Sequence, residues 1–477
     1  MPRSSARYGS LASGLIAAAA HAQMPALPAY GITLIPAPSS STGLTPAAIS
    51  SANQLTGSIA FSAGQAAHAF VYTSGTVIDL GTLPYPGSAD LGSASGQSIS
   101  NGGTLVGTIT DTGIPPMWQF GFTYDPGGAL AALNMLTGFP FCTATGVNDS
   151  GLIVGSCSNL NESIATMYVS GTPQQIGPTG AAANAVNDYN QVAASGTPGF
   201  IYENGTITTL PLLSGGSANT QSSATSINNA GQAVGWQLNG TTYQTFIYSY
   251  GATTALTGVP GSSVQPAVSI NDAGQIVGYT ATSASATAVP FFYAHSLMSN
   301  LNALVSTTDP SKRYVTLTQA YGISDTGQII ASGTDSRTPG VTNAYLLTPV
   351  SPFSPFVDLE ASATTVVEGT AFTLFWTAQS LSGCTASGGS GSDEWLGAMQ
   401  ADGGQQLVKE TKAGSYDFTL NCMTSGGAPQ DSTVTVMVTA KPPTPPHSGG
   451  GALDARTLLA LLLLCGWRAV RGAAWRL

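Results

Sequence analysis

Seven copies of one short phrase are spread along this chain, and their spacing constrains the fold more than any other feature. The clearest copy reads Ile270-Asn271-Asp272-Ala273-Gly274-Gln275-Ile276-Val277-Gly278. Close variants start at Val147, Val186 and Ile227, and weaker ones at Ile49, Ile99 and Ile323. Successive copies lie 50, 48, 39, 41, 43 and 53 residues apart, the period of a propeller blade rather than of a helical repeat. An apolar residue, then Asn-Asp-x-Gly, then a second apolar alternation reads as strand, tight turn and strand. Asn and Asp bond to nearby backbone and tolerate left-handed conformations, and Gly adopts positive φ without steric cost.

An aromatic run follows each hairpin, as in Phe70-Val71-Tyr72, Phe200-Ile201-Tyr202, Phe246-Ile247-Tyr248 and Phe291-Phe292-Tyr293. A glycine turn and a last alternating segment such as Val77-Ile78-Asp79-Leu80 complete the unit. Each repeat therefore predicts four antiparallel strands, A to D. The seventh repeat runs into Pro349 before any strand D, while Tyr30-Gly31-Ile32-Thr33-Leu34-Ile35 precedes the first strand A and belongs to no repeat. If the leading segment supplies the missing strand, the array closes and leaves no raw edge. The expected fold class is all-β: a seven-bladed β-propeller followed by a small immunoglobulin-like β-sandwich.

The hairpin phrase, the triplet His68-Ala69-Phe70 and the segment Asp79-Leu80-Gly81-Thr82-Leu83 together resemble the bacterial extracellular HAF-repeat proteins. The likeness covers residues 29–350 and implies an exported repeat protein. It carries no catalytic residues, because its signature is structural. Two positions depart from the pattern: Asn190 stands where Gly is usual, and the first repeat lacks the Asn-Asp pair.

Charge narrows the partners. Charged residues make up 7% of the chain and the formal net charge is −10, with no Lys or Arg between Gln23 and Ser311. Nucleic acids and anionic lipid surfaces are held by arrays of basic side chains, so nucleic acid is excluded as a partner and membrane contact is expected only through the C-terminal segment. Residues 1–22 read as a signal peptide: Arg3 and Arg7, an apolar core, and a small-x-small cleavage site at Ala20 and Ala22. Export machinery is thus an expected partner, and an exported destination permits disulfides. Cys142 and Cys157 lie equidistant from the Asp149-Ser150 turn centre, so a two-residue hairpin would set them opposite each other for a cross-strand bridge.

Past Ser351-Pro352-Phe353-Ser354-Pro355 the pattern changes. Residues 354–440 offer alternating strands with Trp376, Cys384, Tyr416 and Cys422, and resemble bacterial immunoglobulin-like domains. That resemblance implies a structural Cys384–Cys422 bridge, stabilising by about 2–4 kcal/mol. Residues 441–451 are a Pro/Gly-rich linker, and 452–477 a hydrophobic sorting or anchor segment ending in Arg468, Arg471 and Arg476. The order of Gly449-Gly450-Gly451, apolar run and basic end resembles the GlyGly-CTERM signal of Gram-negative bacteria, which implies a rhomboid-type sorting protease and a cell-surface or extracellular destination. The uninterrupted apolar run is short for a full crossing by a transmembrane helix, and the trailing arginines favour a cytoplasmic end.

No catalytic or metal-binding constellation is legible, and no cofactor is expected. His68 and His295 fall in different repeats, and Glu162 and Glu203 show no spacing that pairs them as glycosidase carboxylates. The Asn-Asp-x-Gly-Gln turns lack the closing Glu of a calcium loop. The connections B–C and D–A are long and varied while the A–B turns are tight, so recognition is expected on the loop-rich face, with Tyr85, Trp118, Phe139 and Trp236 as candidate binding aromatics. The leading expectation is a non-enzymatic surface or secreted protein that binds a neutral glycan or another protein. An extracellular polysaccharide hydrolase or lyase and a structural surface component are the alternatives.

Overall fold

A computed structural model describes residues 27–84, 91–111, 118–217, 219–259, 262, 266, 268–281, 288–350, 355–391, 395–401 and 403–441. The expected cleavage site at Ala20 and Ala22, the Gly449–Gly451 motif with its tail, and Tyr85 lie outside them. The described chain is all-β, its one helix being the single turn Leu301–Leu304.

The first six repeats each form four strands in chain order. The first contributes Gly43–Ile49, Leu55–Ala60, His68–Thr73 and Thr76–Gly81. In the seventh, Val315–Ile323, Ile329–Asp335 and Thr342–Pro349 are completed by Tyr30–Leu34, which pairs antiparallel with Thr342–Pro349 from Tyr30↔Pro349 to Leu34↔Tyr345. The expected closing strand is thus in place. Tyr30 is fully buried and meets Phe292 edge-on at 6.1 Å, so the strand Tyr30–Leu34 is anchored in the core between repeats six and seven. The sheets are not all separate: short contacts at Phe141↔Gln119 and Ser195↔Ser223 merge repeats two and three, and four and five, into eight-stranded sheets.

The phrase is explained by what its side chains hold. The Asn Oδ1 at 148, 187, 228 and 271 accepts the backbone N–H four residues on, each at 2.9 Å, which closes its own turn. The Nδ2 of the same residue crosses to the next repeat. Asn148 donates to the carbonyl of Asn187 (2.9 Å), Asn187 to Asn228 (2.9 Å), Asn228 to Asn271 (3.0 Å) and Asn271 to Ser324 (2.9 Å). The Gln side chains at 191, 232 and 275 accept from that amide as well. Gly151, Gly231, Gly274 and Gly327 have φ between 70° and 81°, and Asn190 takes the same position at 62°, a conformation that Asn tolerates.

The second residue of each turn links the repeats a second time. Backbone N–H groups donate in sequence from Ser51 to Asn101, Asn101 to Asp149, Asp149 to Asp188, Asp188 to Asn229, Asn229 to Asp272 and Asp272 to Asp325, at 2.7–2.9 Å. Asp325 then donates to Ser51 Oγ at 3.1 Å. Among the described residues these seven turns form a closed cycle, and the Asn-poor first repeat joins it through Ser51.

Strand A carries a recurrent bulge, between Pro46 and Ala48, Gly96 and Ser98, Ala144 and Gly146, Ala183 and Ala185, and Ala224 and Ser226. The extra residue reaches the neighbouring strand A. Thr145 donates to the Ala183 carbonyl (2.8 Å), Asn184 to Ala224 (2.7 Å) and Thr225 to Val268 (3.0 Å). The bulge also explains the glycine that ends the phrase, since a Cβ at Gly155 would lie 1.9 Å from the Thr143 carbonyl oxygen.

Cys142 and Cys157 are direct cross-strand partners and are bonded to each other. The turn between them is longer than the expected two residues: Val147 pairs with Ile153, and the Asn148 N–H donates to the Leu152 carbonyl. The bulge offsets the longer turn and returns the cysteines to register.

Residues 355–441 form a sandwich of a three-stranded and a five-stranded sheet. Leu359, Leu374, Trp376 and Val408 of one sheet pack on Ala386, Phe418, Leu420 and Val436 of the other. The Cys384–Cys422 bond joins Leu381–Gly388 to Gly414–Thr424, neighbours within one sheet. In the immunoglobulin pattern such a bridge spans the two sheets.

The crossing amide is expected to dominate stability. Asn228 is 3% exposed, so Asn228→Ala strands buried backbone groups and should cost roughly 2–3 kcal/mol. Asp188→Ala, at the exposed rim, should cost less than about 1 kcal/mol. Denaturant melts compare the two, and equal losses would show that the crossing amide is not the principal tie.

Candidate functional site

The strands A surround a central cavity of about 630 Å³. Its wall carries Gln97, Thr145, Asn184 and Thr225 on the bulged positions, and Tyr279 and Tyr321 from repeats six and seven. The two tyrosines meet edge-on with ring centroids 6.3 Å apart. Burial, and then Tyr321, push the Tyr279 hydroxyl above its ordinary pKa. The Tyr321 hydroxyl donates to Gln319 Oε1 and lies 3.2 Å from Ser332 Oγ. A hydroxyl-rich groove of about 440 Å³, with Ser58, Ser95, Thr108 and Gln119, shares Gln97 and Thr145 with the cavity.

One end of the cavity is covered. The sandwich lies over the A–B turns, and a chamber of about 690 Å³ separates Gln379, Ser380 and Gln400 from Asp149, Asp188, Asp272 and Asp325. Gln405 donates to Gln191 Oε1 at 3.1 Å, Phe375 packs on Tyr250 at 4.9 Å, and Phe356 meets His295 edge-on at 4.6 Å. Gly403 passes the backbone of repeat six so closely that a Cβ there would stand 2.8 Å from the Asp272 carbonyl oxygen. The described parts of the B–C and D–A connections lie on the opposite face, so the docked sandwich covers the tight-turn end and not the loop-rich end.

The carboxylates of the chamber are committed to the turn cycle, each accepting a backbone N–H from the preceding repeat. The described residues hold no group of three or more His, Cys, Asp or Glu arranged for a metal ion. Glu203 accepts from Gln191 at 3.2 Å and Glu162 from Thr179 at 3.4 Å, so each has its own partner in its own repeat. His68 and Asp79 do meet, at 2.9 Å, beside the ring of Phe61. This contact ties strand C to strand D in the first repeat, where the His-Ala-Phe triplet and the Asp-Leu-Gly-Thr-Leu segment occur together.

The three described candidate binding aromatics, Trp118, Phe139 and Trp236, each pack against their own repeat. Trp236 is 3% exposed and set edge-on to Tyr243 at 5.0 Å, so it is buried rather than displayed. Phe139 packs on the Cys142–Cys157 bridge with Ile164. Trp118 is half-buried and stacks on Phe120 at 5.4 Å. The aromatics that do line the cavity are Tyr279 on strand B of repeat six and Tyr321 on the strand-A bulge between Ala320 and Gly322, and neither was among the sequence candidates. For Tyr321 the signal was a bulky aromatic two residues before the phrase begins, where other repeats carry smaller residues such as Gln97, Thr145 and Thr225; Tyr279 stands at the position that Trp236 holds in repeat five.

No family model matches this chain, and no curated protein matches it. Among solved structures it is similar to the extracellular domain of a hybrid two-component system from B. thetaiotaomicron, at 10% identity and a TM-score of 0.30 over 87% of this chain and 58% of that one. TolB from Acinetobacter baumannii matches at 13% identity and a TM-score of 0.29, over 64% of this chain and 83% of that one. A polysaccharide lyase matches at 8% identity and a TM-score of 0.15, over 87% and 47%. The chain spans 58% of the length of the first of these, and likenesses this loose carry no argument about activity. No helix among the described residues is long and apolar enough to cross a membrane.

Two predictions test the docked sandwich. Gly403→Val should force the sandwich off the turns, read as faster proteolysis between residues 350 and 356, and unchanged cleavage would refute the close approach. Glu360 is pushed above its ordinary pKa of 4.5 by burial and then by Asp358, beside the Phe375–Tyr250 contact. A raised carboxyl pKa means that the folded state favours the protonated form, so stability falls as pH rises from the unfolded pKa through the folded one. Glu360→Gln should therefore raise the melting temperature at pH 7.5 and leave it unchanged near pH 3.5. Destabilisation at pH 7.5 would contradict this account.

Proposed function

We propose that this chain is an exported, non-enzymatic binding protein of the bacterial cell surface or exterior, with the central cavity as its binding site. On this reading residues 29–350 are a seven-bladed β-propeller of HAF type, and the sandwich is an immunoglobulin-like module that displays it. The resemblance of the Gly449–Gly451 tail to the GlyGly-CTERM signal supports a Gram-negative surface destination after export and processing by a rhomboid-type protease. Four strands per repeat, the borrowed strand Tyr30–Leu34 and the cyclic turn contacts support the propeller reading. Two disulfides fit an oxidising destination.

One observation carries the choice of function: the cavity wall is polar and uncharged between its ends, with two tyrosines set into it. Hydroxyl and amide groups beside aromatic faces suit a neutral saccharide or a polar protein segment. The ligand enters from the loop-rich face, since the sandwich occupies the other. A glycan array probed with the purified protein should return neutral saccharide ligands. Tyr279→Ala and Tyr321→Ala should each weaken the best of them at least tenfold in titration calorimetry. Release of shortened sugar products during the incubation would replace this reading by the hydrolase or lyase one.

A further inference from the structure

Positive charge in the repeat region is gathered at a single corner. Between Gln23 and Val350 the chain has three basic residues, Lys312, Arg313 and Arg337, and the fold brings them together on repeat seven. Lys312, Arg313 and Tyr314 lead directly into strand A, Val315–Ile323, while Arg337 follows strand B, Ile329–Asp335. The A–B turn between these strands points at the sandwich, so the cluster stands at the opposite, loop-rich end. The same strand A carries Tyr321 into the cavity.

The two arginines are set in place. Arg313 Cζ lies 4.8 Å and Arg337 Cζ 4.7 Å from the centroid of the Tyr314 ring. Arg337 is further held by Asp335, whose oxygens accept from Nε at 3.0 Å and from Nη2 at 2.6 Å. Asp335 is 11% exposed and Arg337 53%, so the carboxylate backs the guanidinium from the protein side and leaves its Nη1 edge toward solvent. Arg313 is exposed and makes no ion pair among the described residues. Lys312 is engaged by the Asn302 carbonyl.

Guanidinium groups already oriented by stacking and by a backing carboxylate lose little freedom on meeting an anion. Two of them cannot neutralise a polyphosphate, which needs many cations. Their planar forks do match single carboxylates spaced along a polymer. We infer that Arg313 and Arg337 read the carboxylates of an acidic polysaccharide, a uronate-bearing glycan long enough to reach from this mouth to Tyr321, eight residues further along the strand or about 26 Å at the usual rise. This rests on the cavity reading above and replaces its neutral ligand by a sparsely charged one.

The test is titration calorimetry of the purified protein with oligogalacturonate and oligoglucuronate, with their carboxyl-reduced neutral counterparts, and with an acidic peptide. The wild-type protein should bind a uronate oligomer at least tenfold tighter than its neutral counterpart, with an advantage that shrinks as salt rises. Arg313→Gln should abolish that advantage while leaving neutral-sugar binding and the melting temperature unchanged. Arg337→Lys, which keeps the charge opposite Asp335 but loses the fork, should reduce it several-fold. Equal affinity for uronate and neutral oligomers, an unaffected Arg313→Gln variant, or tighter binding of the acidic peptide would each overturn the inference. In the first case neutral binding that still depends on Tyr279 and Tyr321 leaves the cavity reading standing, whereas loss of all sugar binding removes both.

Discussion

One side-chain amide carries the architecture. Asn at the start of the turn closes its own hairpin with Oδ1 and donates Nδ2 to the next repeat's carbonyl, at 2.9–3.0 Å in four successive repeats. Four-stranded meanders are individually too small to bury both faces of their sheets, so they are stable only when stacked. The crossing amide sets the angle and spacing of that stacking where the strands converge. These Asn residues are 3–5% exposed, so their hydrogen bonds are protected from water and a missing partner is costly.

The same contact shapes the interior. With the turns drawn together, neighbouring strands A face one another around the central cavity. The bulges put Thr145, Asn184 and Thr225 there, each donating to a carbonyl of the next strand. The cavity is therefore walled by groups that already serve the fold but retain acceptors and hydroxyl faces. Stability and recognition draw on the same short polar side chains. Among the described residues, large rings intrude only from repeats six and seven.

The sandwich gives the ring a direction. It docks through Gln405, Phe375, Phe356 and Gly403 onto turns whose carboxylates are already satisfied. A −10 chain with its acidic rim beneath the sandwich presents the three Lys and Arg side chains of its repeat region at the other end. The two faces of the repeat array thus differ in charge, in loop length and in access, although the repeats that build them are alike.

Local sequence determined the strands, the turns, the closing strand Tyr30–Leu34 and the Cys142–Cys157 pairing, because each follows from alternation, turn chemistry or spacing along one hairpin. The cysteine pairing shows how such reasoning succeeds: a longer turn and a bulge offset each other, and neither was visible in the residues. Tertiary structure alone decided that Trp236 is buried, that Tyr279 and Tyr321 share the cavity, and that Cys384 and Cys422 link strands of one sheet. It also decided which mouth the sandwich covers, through contacts such as Gln191 with Gln405, 214 residues apart. Periodic patterns report which face of a strand is apolar, a property of a few neighbouring residues. What a face is buried against depends on surfaces that meet only after the ring has closed.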